Sequence, residues 1–324
     1  MSDLRVGVVG VGHLGSRHAD IYRAMPGVRL EATVDLDPAR GELTDYRSLF
    51  GRVDAVSIAV PTSEHHAIGL EFLKRGIPTL IEKPLAKTIA EAEALVAASA
   101  GTILQVGHVE RFNPAVMAIQ DVIGEPRFIE CHRLGAFSFR STDIDVVLDL
   151  MIHDIDIILH LVKAPLRRVD AVGVSMLLGE EDIANARLEF DNGAVANVTA
   201  SRISDKAMRK IRVFAEDTYV SLDTMKKSAK LYRKTPELDR ALEKIRGGGL
   251  GKAAAIAHVA ALPKKFYEVR ELRFDDAQPL EIELKAFVAC VRDGTPPVVP
   301  GEHGLRAMRV AERVLAEVRG HTWK

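Results

Sequence analysis

The sequence predicts an α/β protein in two parts: an N-terminal doubly wound parallel sheet, then a C-terminal α/β domain with a large, mainly antiparallel sheet. Three observations carry this. In the first third, short apolar runs alternate with stretches of helical periodicity, the pattern of parallel strands joined by crossover helices. Beyond about residue 120 the rhythm changes to longer segments of alternating hydrophobicity, as strands with one wet face show. And 324 residues, 47% of them hydrophobic and 27% charged, are enough for two ordinary soluble cores. The domains are expected at 1–120 and 121–324, with a C-terminal helix over 303–319 able to pack back on the first.

Taken in order, strands are expected at 4–9, 29–35, 54–60, 78–82 and 102–107, separated by helices at 14–24, 64–75 and 88–98. Ser63 is placed to cap the second helix and Gly76 to stop it. Right-handed crossovers then order the five strands into a doubly wound sheet. In the second part, strands are expected at 127–135, 168–177, 184–190, 194–202, 209–214 and 218–222, with a helix near 146–162. Asn192-Gly193, between two alternating runs, predicts a hairpin, because this pair readily takes the positive φ angles of a primed turn. Segment 233–265 carries Pro236, the run Gly247-Gly248-Gly249 and an Ala-rich stretch, and reads as two short helices around a hinge. Leu305, Met308, Val310, Val314 and Val318 recur at helical spacing and mark the last helix.

Charge excludes some roles. Lys plus Arg number 44 and Asp plus Glu 45, a formal net charge of −1, so no global field favours nucleic acid or an anionic membrane. No apolar run approaches the length of a membrane span, and Met1 leads straight into the first strand without a basic leader, so a cytoplasmic location is expected. The two cysteines, Cys131 and Cys290, lack metal-site spacing and sit among apolar neighbours, which reads as packing in a reducing compartment.

Chemistry concentrates in three places. Gly10-Val11-Gly12-His13-Leu14-Gly15 follows a strand and opens a helix. There Gly10 permits the tight turn, Gly12 lets a pyrophosphate approach the backbone, and Gly15 allows close helix–strand packing, the arrangement of a Rossmann dinucleotide site. Asp35 ends the next strand twenty residues after Gly15, where a carboxylate accepts from ribose hydroxyls and repels a 2′-phosphate, so NAD is expected over NADP. Glu82-Lys83-Pro84 stands at the tip of the fourth strand, the edge at which open α/β sheets bind ligands, and a lysine there can stabilise developing oxyanion charge. Asp149, His153 and Asp156 lie at i, i+4 and i+7 of a helix and share a face, so a carboxylate can orient a proton-accepting imidazole. No metal is expected, since no further ligand cluster accompanies these residues and nicotinamide chemistry needs none.

These motifs, with Pro61-Thr62-Ser63-Glu64-His65, resemble those of the glucose–fructose oxidoreductase, inositol dehydrogenase and MocA family over nearly the whole chain. The resemblance implies catalytic roles for Lys83 and His153, with His153 the proton acceptor and Asp149 its helper in positioning substrate. It places cofactor contacts on the turn residues Gly10, Gly12, His13, Leu14 and Gly15, on Asp35, on Pro61, Thr62 and His65, and on Glu82 and Lys83. A narrower resemblance, carried by Gly107-His108-Val109-Glu110-Arg111-Phe112-Asn113-Pro114 and Met151-Ile152-His153-Asp154-Ile155-Asp156, points to the bacterial branch acting on UDP-N-acetylhexosamines. It implies oxidation of the 3-hydroxyl of UDP-N-acetylglucosamine to a 3-keto sugar, passed to an aminotransferase in lipid A or surface-polysaccharide synthesis, by a homodimer or homotetramer.

In that reading Arg111 and Asn113 join Asp149 and His153 as substrate contacts, guanidinium on diphosphate and amide on sugar hydroxyls. Asn113 also reads as a helix cap with Pro114 at the first helical position. Residues 226–270 hold 12 Lys plus Arg against 4 Asp plus Glu, a second candidate for the diphosphate and equally a solvated basic face. The alternatives are an inositol or free-sugar dehydrogenase, which needs no diphosphate clamp, and a dinucleotide-binding sensor without turnover.

Overall fold

The computed structural model describes residues 3–136, 144–177, 179–246, 267–274 and 278–321. The first sheet has strands β1 (Leu4–Val9), β2 (Val28–Val34), β3 (Ala55–Ile58), β4 (Thr79–Glu82) and β5 (Leu104–Gly107), all parallel, in the order β2-β1-β3-β4-β5. Helices α1 (His13–Ala24), α2 (Thr62–Leu73) and α3 (Ile89–Ala98) make the crossovers. Strand order reverses between β1 and β3, so the ligand crevice of this topology lies beyond their C-terminal ends. The strands read as unbroken apolar runs because helices cover both faces: β3 and β4 are buried at every position. One expectation shifts. Pro61, not Ser63, caps α2, its carbonyl accepting the Glu64 N–H at 2.9 Å, while the Ser63 hydroxyl turns to the Glu64 carboxylate.

The second sheet is β6 (Phe128–Leu134), β7 (Leu166–Val174), β8 (Ile183–Phe190), β9 (Val195–Ser201), β10 (Met208–Phe214), β11 (Thr218–Asp223), β12 (Ser228–Lys234) and β13 (Tyr267–Arg273), in the order β13-β12-β11-β10-β6-β9-β8-β7. It is antiparallel throughout save the β6–β9 pair. The expected hairpin joins β8 to β9, with Gly193 at φ 83°. Strands β12 and β13 were not anticipated. Every residue of β13 is exposed, so it buries no face and shows no alternation to read.

Short helix α4 (Pro114–Met117) follows β5, and α6 (Pro236–Arg246) is the first of the two helices expected over 233–265; the second, with the hinge, lies outside the described residues. The helix expected at 146–162 is two pieces, a π turn over Val147–Met151 and α5 (Ile152–Leu161). Helix α7 (Pro279–Asp293) was not anticipated; its Leu284 and Phe287 pack with Val6, Val8 and Tyr22 on one face of the first sheet.

Helix α8 (Gly301–Gly320) packs on α3 and β5 on one side and on α5 and β7 on the other. It lies close because two glycines face the strand: a Cβ on Gly304 would stand 2.7 Å from a Val106 methyl, and one on Gly301 2.6 Å from a Leu104 methyl. Leu305, Met308, Val310, Val314 and Val318 are all buried, in a core that runs unbroken from the first sheet to the second. Both sheets are therefore held to one another by continuous apolar packing, which lets a lysine on one face a helix of the other.

Candidate functional site

The glycine turn is built as its residue types require. Gly10 sits at φ 86°, a conformation L side chains avoid, and its N–H donates to the Val34 carbonyl at 2.8 Å. A Cβ on Gly15 would overlap the Gly10 carbonyl, so nothing larger fits where α1 meets the strand end. Gly12 is the opposite case, with no atom within 4 Å of where its Cβ would be. It caps α1 without a side-chain hydrogen bond, leaving the first-turn amides of His13, Leu14 and Gly15 and the positive end of the helix dipole to an anion. The Asp35 carboxylate accepts from the Val11 N–H at 2.8 Å and the Asp37 N–H at 3.0 Å, which pins it beside the turn with lone pairs to spare. Open space at Gly12, an uncapped helix end and a fixed carboxylate together fit a dinucleotide.

Beyond β3, Pro61 is exposed and Thr62 half-buried at the start of α2. His65 and Glu82, expected among the cofactor contacts, are turned inward instead. His65 is 1% exposed, with one ring nitrogen 2.9 Å from the Pro84 carbonyl and the other 2.9 Å from that of Val60. Burial lowers its pKa, and a neutral ring carries a single N–H, so it donates to one of these two carbonyls while packing between the end of β3 and the Lys83-Pro84 turn. Glu82 lies with its carboxylate 3.1 Å from His18 Nε2, itself fully buried.

Lys83 reaches from the end of β4 across to the π turn. Its Nζ donates to the Asp149 carbonyl at 2.7 Å and to Asp149 Oδ1 at 3.2 Å. Asp149 lies in that π turn, a feature often found at functional sites, and supplies both acceptors, one from its main chain and one from its carboxylate. His153 follows on the first turn of α5, with its Nδ1 buried and unpartnered. Burial first, and then the Lys83 ammonium, hold this imidazole well below its ordinary 6.5, so it is the neutral, proton-accepting form. The structure thus brings Lys83, Asp149 and His153 together.

Asp156, expected on their face, is not with them. The π turn shifts Asp149 relative to the helix that follows, and Asp156, three residues past His153 on that helix, is buried against Arg111, whose Nη1 lies 3.4 Å from its Oδ1. Arg111 and Asn113, expected at the substrate, are 4% and 2% exposed. Asn113 Oδ1 accepts from the Ala115 N–H at 3.2 Å, capping α4, while its amide donates to Glu110 and to the Thr224 carbonyl. With those partners both residues are framework. Missed altogether were Arg133 and Asp154: the guanidinium forks onto Asp154 at 2.8 and 3.0 Å and onto Glu110 at 2.8 Å. This buried network, with the Arg111–Asp156 pair two residues on and so on another side of the helix, sets the rotation of α5 and so aims His153. The one signal in sequence was Arg133 at an inward strand position, in step with Ile129 and Cys131.

The described part of the basic segment lies elsewhere. Lys226, Lys227 and Lys230 line a hollow of about 640 Å³ with Lys210 and Arg273, on strands β10–β13. Among the described residues no group of three or more His, Cys, Asp or Glu is placed to hold a metal ion.

Comparison with known proteins bears on this geometry. Residues 4–108 match the model of the Gfo/Idh/MocA oxidoreductase family with an NAD-binding Rossmann fold, and residues 117–221 match a C-terminal domain of the same family. The chain is 35% identical to the UDP-N-acetylglucosamine 3-dehydrogenase of Acidithiobacillus ferrooxidans over 98% of both chains. The solved structure of that enzyme superposes with a TM-score of 0.84, covering 98% of each chain. The scyllo-inositol 2-dehydrogenase (NAD⁺) of Bacillus subtilis is 26% identical over 91% of this chain and 88% of its own. A levoglucosan dehydrogenase solved with NADH and levoglucosan, at 18% identity and a TM-score of 0.80 over 100% of this chain and 99% of its own, shares the fold.

Proposed function

Because the chain belongs to the Gfo/Idh/MocA family of NAD-binding oxidoreductases, we propose that it oxidises the 3-hydroxyl of UDP-N-acetylglucosamine at the cluster of Lys83, Asp149 and His153. NAD, when bound, supplies the acceptor for the carbinol hydride. Gly10, Gly12, Gly15 and the open end of α1 hold its diphosphate, Asp35 its ribose, with His13, Leu14, Pro61 and Thr62 alongside. Lys83 Nζ, already aimed by Asp149, steadies the alcohol oxygen as negative charge develops. His153, kept neutral by burial, takes the hydroxyl proton at Nε2.

The observation that carries the reading is the pairing of Lys83 with Asp149 beside His153, whose Nδ1 is buried, at the ligand edge of an NAD-binding sheet. The choice of nucleotide sugar rests on the full-length similarity to the Acidithiobacillus enzyme. A 3-keto product suits a following aminotransferase, and the proposed location of the reaction is the cytoplasm. The assembly is a homodimer or homotetramer. The burial of Arg111 favours a second reading, an inositol or free-sugar dehydrogenase, because the expected diphosphate clamp is a structural pair.

The test is NADH formation with UDP-N-acetylglucosamine, other UDP-sugars, inositols and free hexoses. Turnover confined to UDP-N-acetylglucosamine is expected; turnover only on inositols or hexoses replaces the substrate and keeps the site. Lys83→Met and His153→Asn should each lower kcat by about 10²–10⁴ with NAD still bound. Near-normal turnover in either variant would remove that residue's role.

A further inference from the structure

Inward from Lys83 and His153 runs a line of buried polar atoms that no protein group satisfies. Both ring nitrogens of His108, Nδ1 of His153 and Oε1 of Glu82 are out of solvent and without a hydrogen-bond partner. The two histidine side chains adjoin. The His108 and His153 rings meet edge to face with centroids 6.4 Å apart. Glu82 is close by: its carboxyl would stand 2.7 Å from a Cβ on Gly107, the residue before His108, and its charge acts on the His108 ring. Glu82 Oε1 is in turn 3.1 Å from His18 Nε2, out of line for a hydrogen bond, and His18 Nδ1 is 2.8 Å from the Ser57 hydroxyl.

A row of such groups is costly, because each buried donor or acceptor left unsatisfied gives up its hydration without a replacement partner. Nothing in the fold of β4 or β5 requires a histidine with two bare nitrogens at position 108. Its charged surroundings are Asp156, Arg111, Lys83 and Glu82, of both signs, so it is not there to balance a field. There is also a task to be done. Burial disfavours charge on His153, so a proton taken there needs somewhere to go, and the deep end of the cleft is closed to solvent.

Building on the dehydrogenase reading, we propose that His108 is a proton-relay residue, receiving a proton from His153 Nδ1 through a bridging water and passing one from its other nitrogen to the Glu82 carboxylate. Only protons move. His153 gains one at Nε2 and loses one at Nδ1, His108 ends neutral as it began, and Glu82 becomes the acid. His108 touches neither substrate nor cofactor, and acts through His153.

The test compares His108→Phe, which fills similar space without nitrogens, with His108→Gln, which keeps a polar group. On the best substrate of the panel, His108→Phe should lose about 10²-fold in kcat, with KM and NAD affinity unchanged and a larger solvent isotope effect on kcat; His108→Gln should fall between it and the parent. A His108→Phe variant with the parent's kcat and isotope effect overturns the relay. So does one that loses kcat only together with NAD affinity and thermal stability, the pattern of a packing role. A second readout needs no substrate. In ¹⁵N-histidine-labelled, NAD-bound protein, His108→Phe should displace the titration of His153, and an undisplaced titration overturns the relay. A parent silent on every substrate would instead sink the dehydrogenase reading, with the titration still deciding the relay.

Discussion

Replacing Arg111 by Met separates a structural ion pair from a substrate clamp. Arg111 Nη1 lies 3.4 and 3.5 Å from the two Asp156 oxygens, with side chains only 2% and 3% exposed. At that separation and an effective dielectric near 20, Coulomb's law gives about 5 kcal/mol of attraction. Methionine matches much of the length but leaves Asp156 buried without its counter-ion and close to Glu283, another buried acid. Removing one member of a buried pair costs about 3–5 kcal/mol, and the long contacts here argue for the lower end. Arg111→Met/Asp156→Leu should recover most of the loss, because neither charge then remains. The assay is urea unfolding of the parent, both single variants and the double variant, with KM measured on the folded proteins. A large drop in midpoint with KM within about twofold is expected for Arg111→Met. Parental stability with KM raised about tenfold or more would refute the reasoning and return Arg111 to the diphosphate.

Two further outcomes are expected. Asp35→Ala should erode the preference for NADH over NADPH by roughly tenfold in relative Kd, read by fluorescence titration, because the carboxylate pinned by the Val11 and Asp37 amides then no longer repels a 2′-phosphate. Unchanged discrimination would remove Asp35 from that role. Glu283 is fully buried with neither carboxyl oxygen partnered, and burial, with Glu82 and Asp156 nearby, raises its pKa well above 4.5. A raised folded-state pKa means that the folded chain binds more protons than the unfolded one, so its contribution is fully present below 4.5 and is lost as pH rises through the native value. Glu283→Gln should therefore gain on the parent in Tm between pH 5 and 8 and lose that advantage near pH 4.5. Parallel Tm curves across this range would contradict it.

Much of the fold was legible because its signals are local. Strands β1 to β5 are covered on both faces and read as apolar runs, the glycine turn follows from where a Cβ fits, and Asn192-Gly193 marks its own turn. The π turn was not legible: an i, i+4, i+7 argument assumes an unbroken α-helical phase, and the turn over Val147–Met151 shifts Asp149 relative to the helix that carries both His153 and Asp156, the latter held in a buried pair with Arg111. Arg111 was misplaced for a related reason, since a guanidinium near a ligand edge looks the same in sequence whether it meets solvent or a carboxylate 45 positions away.

By itself, then, the sequence determined a dinucleotide turn, a lysine at a strand tip and a histidine on a helix, each set by the conformational limits of a few adjacent residues. Which of these meet was decided only by the tertiary structure. Lys83 and Asp149 are 66 residues apart and Arg133 and Asp154 come from different elements, and these contacts form because α8 seals one core between two sheets. Burial of α5 against charges of the opposite sign then fixes its rotation, since an unpaired ion in that interior would cost several kcal/mol.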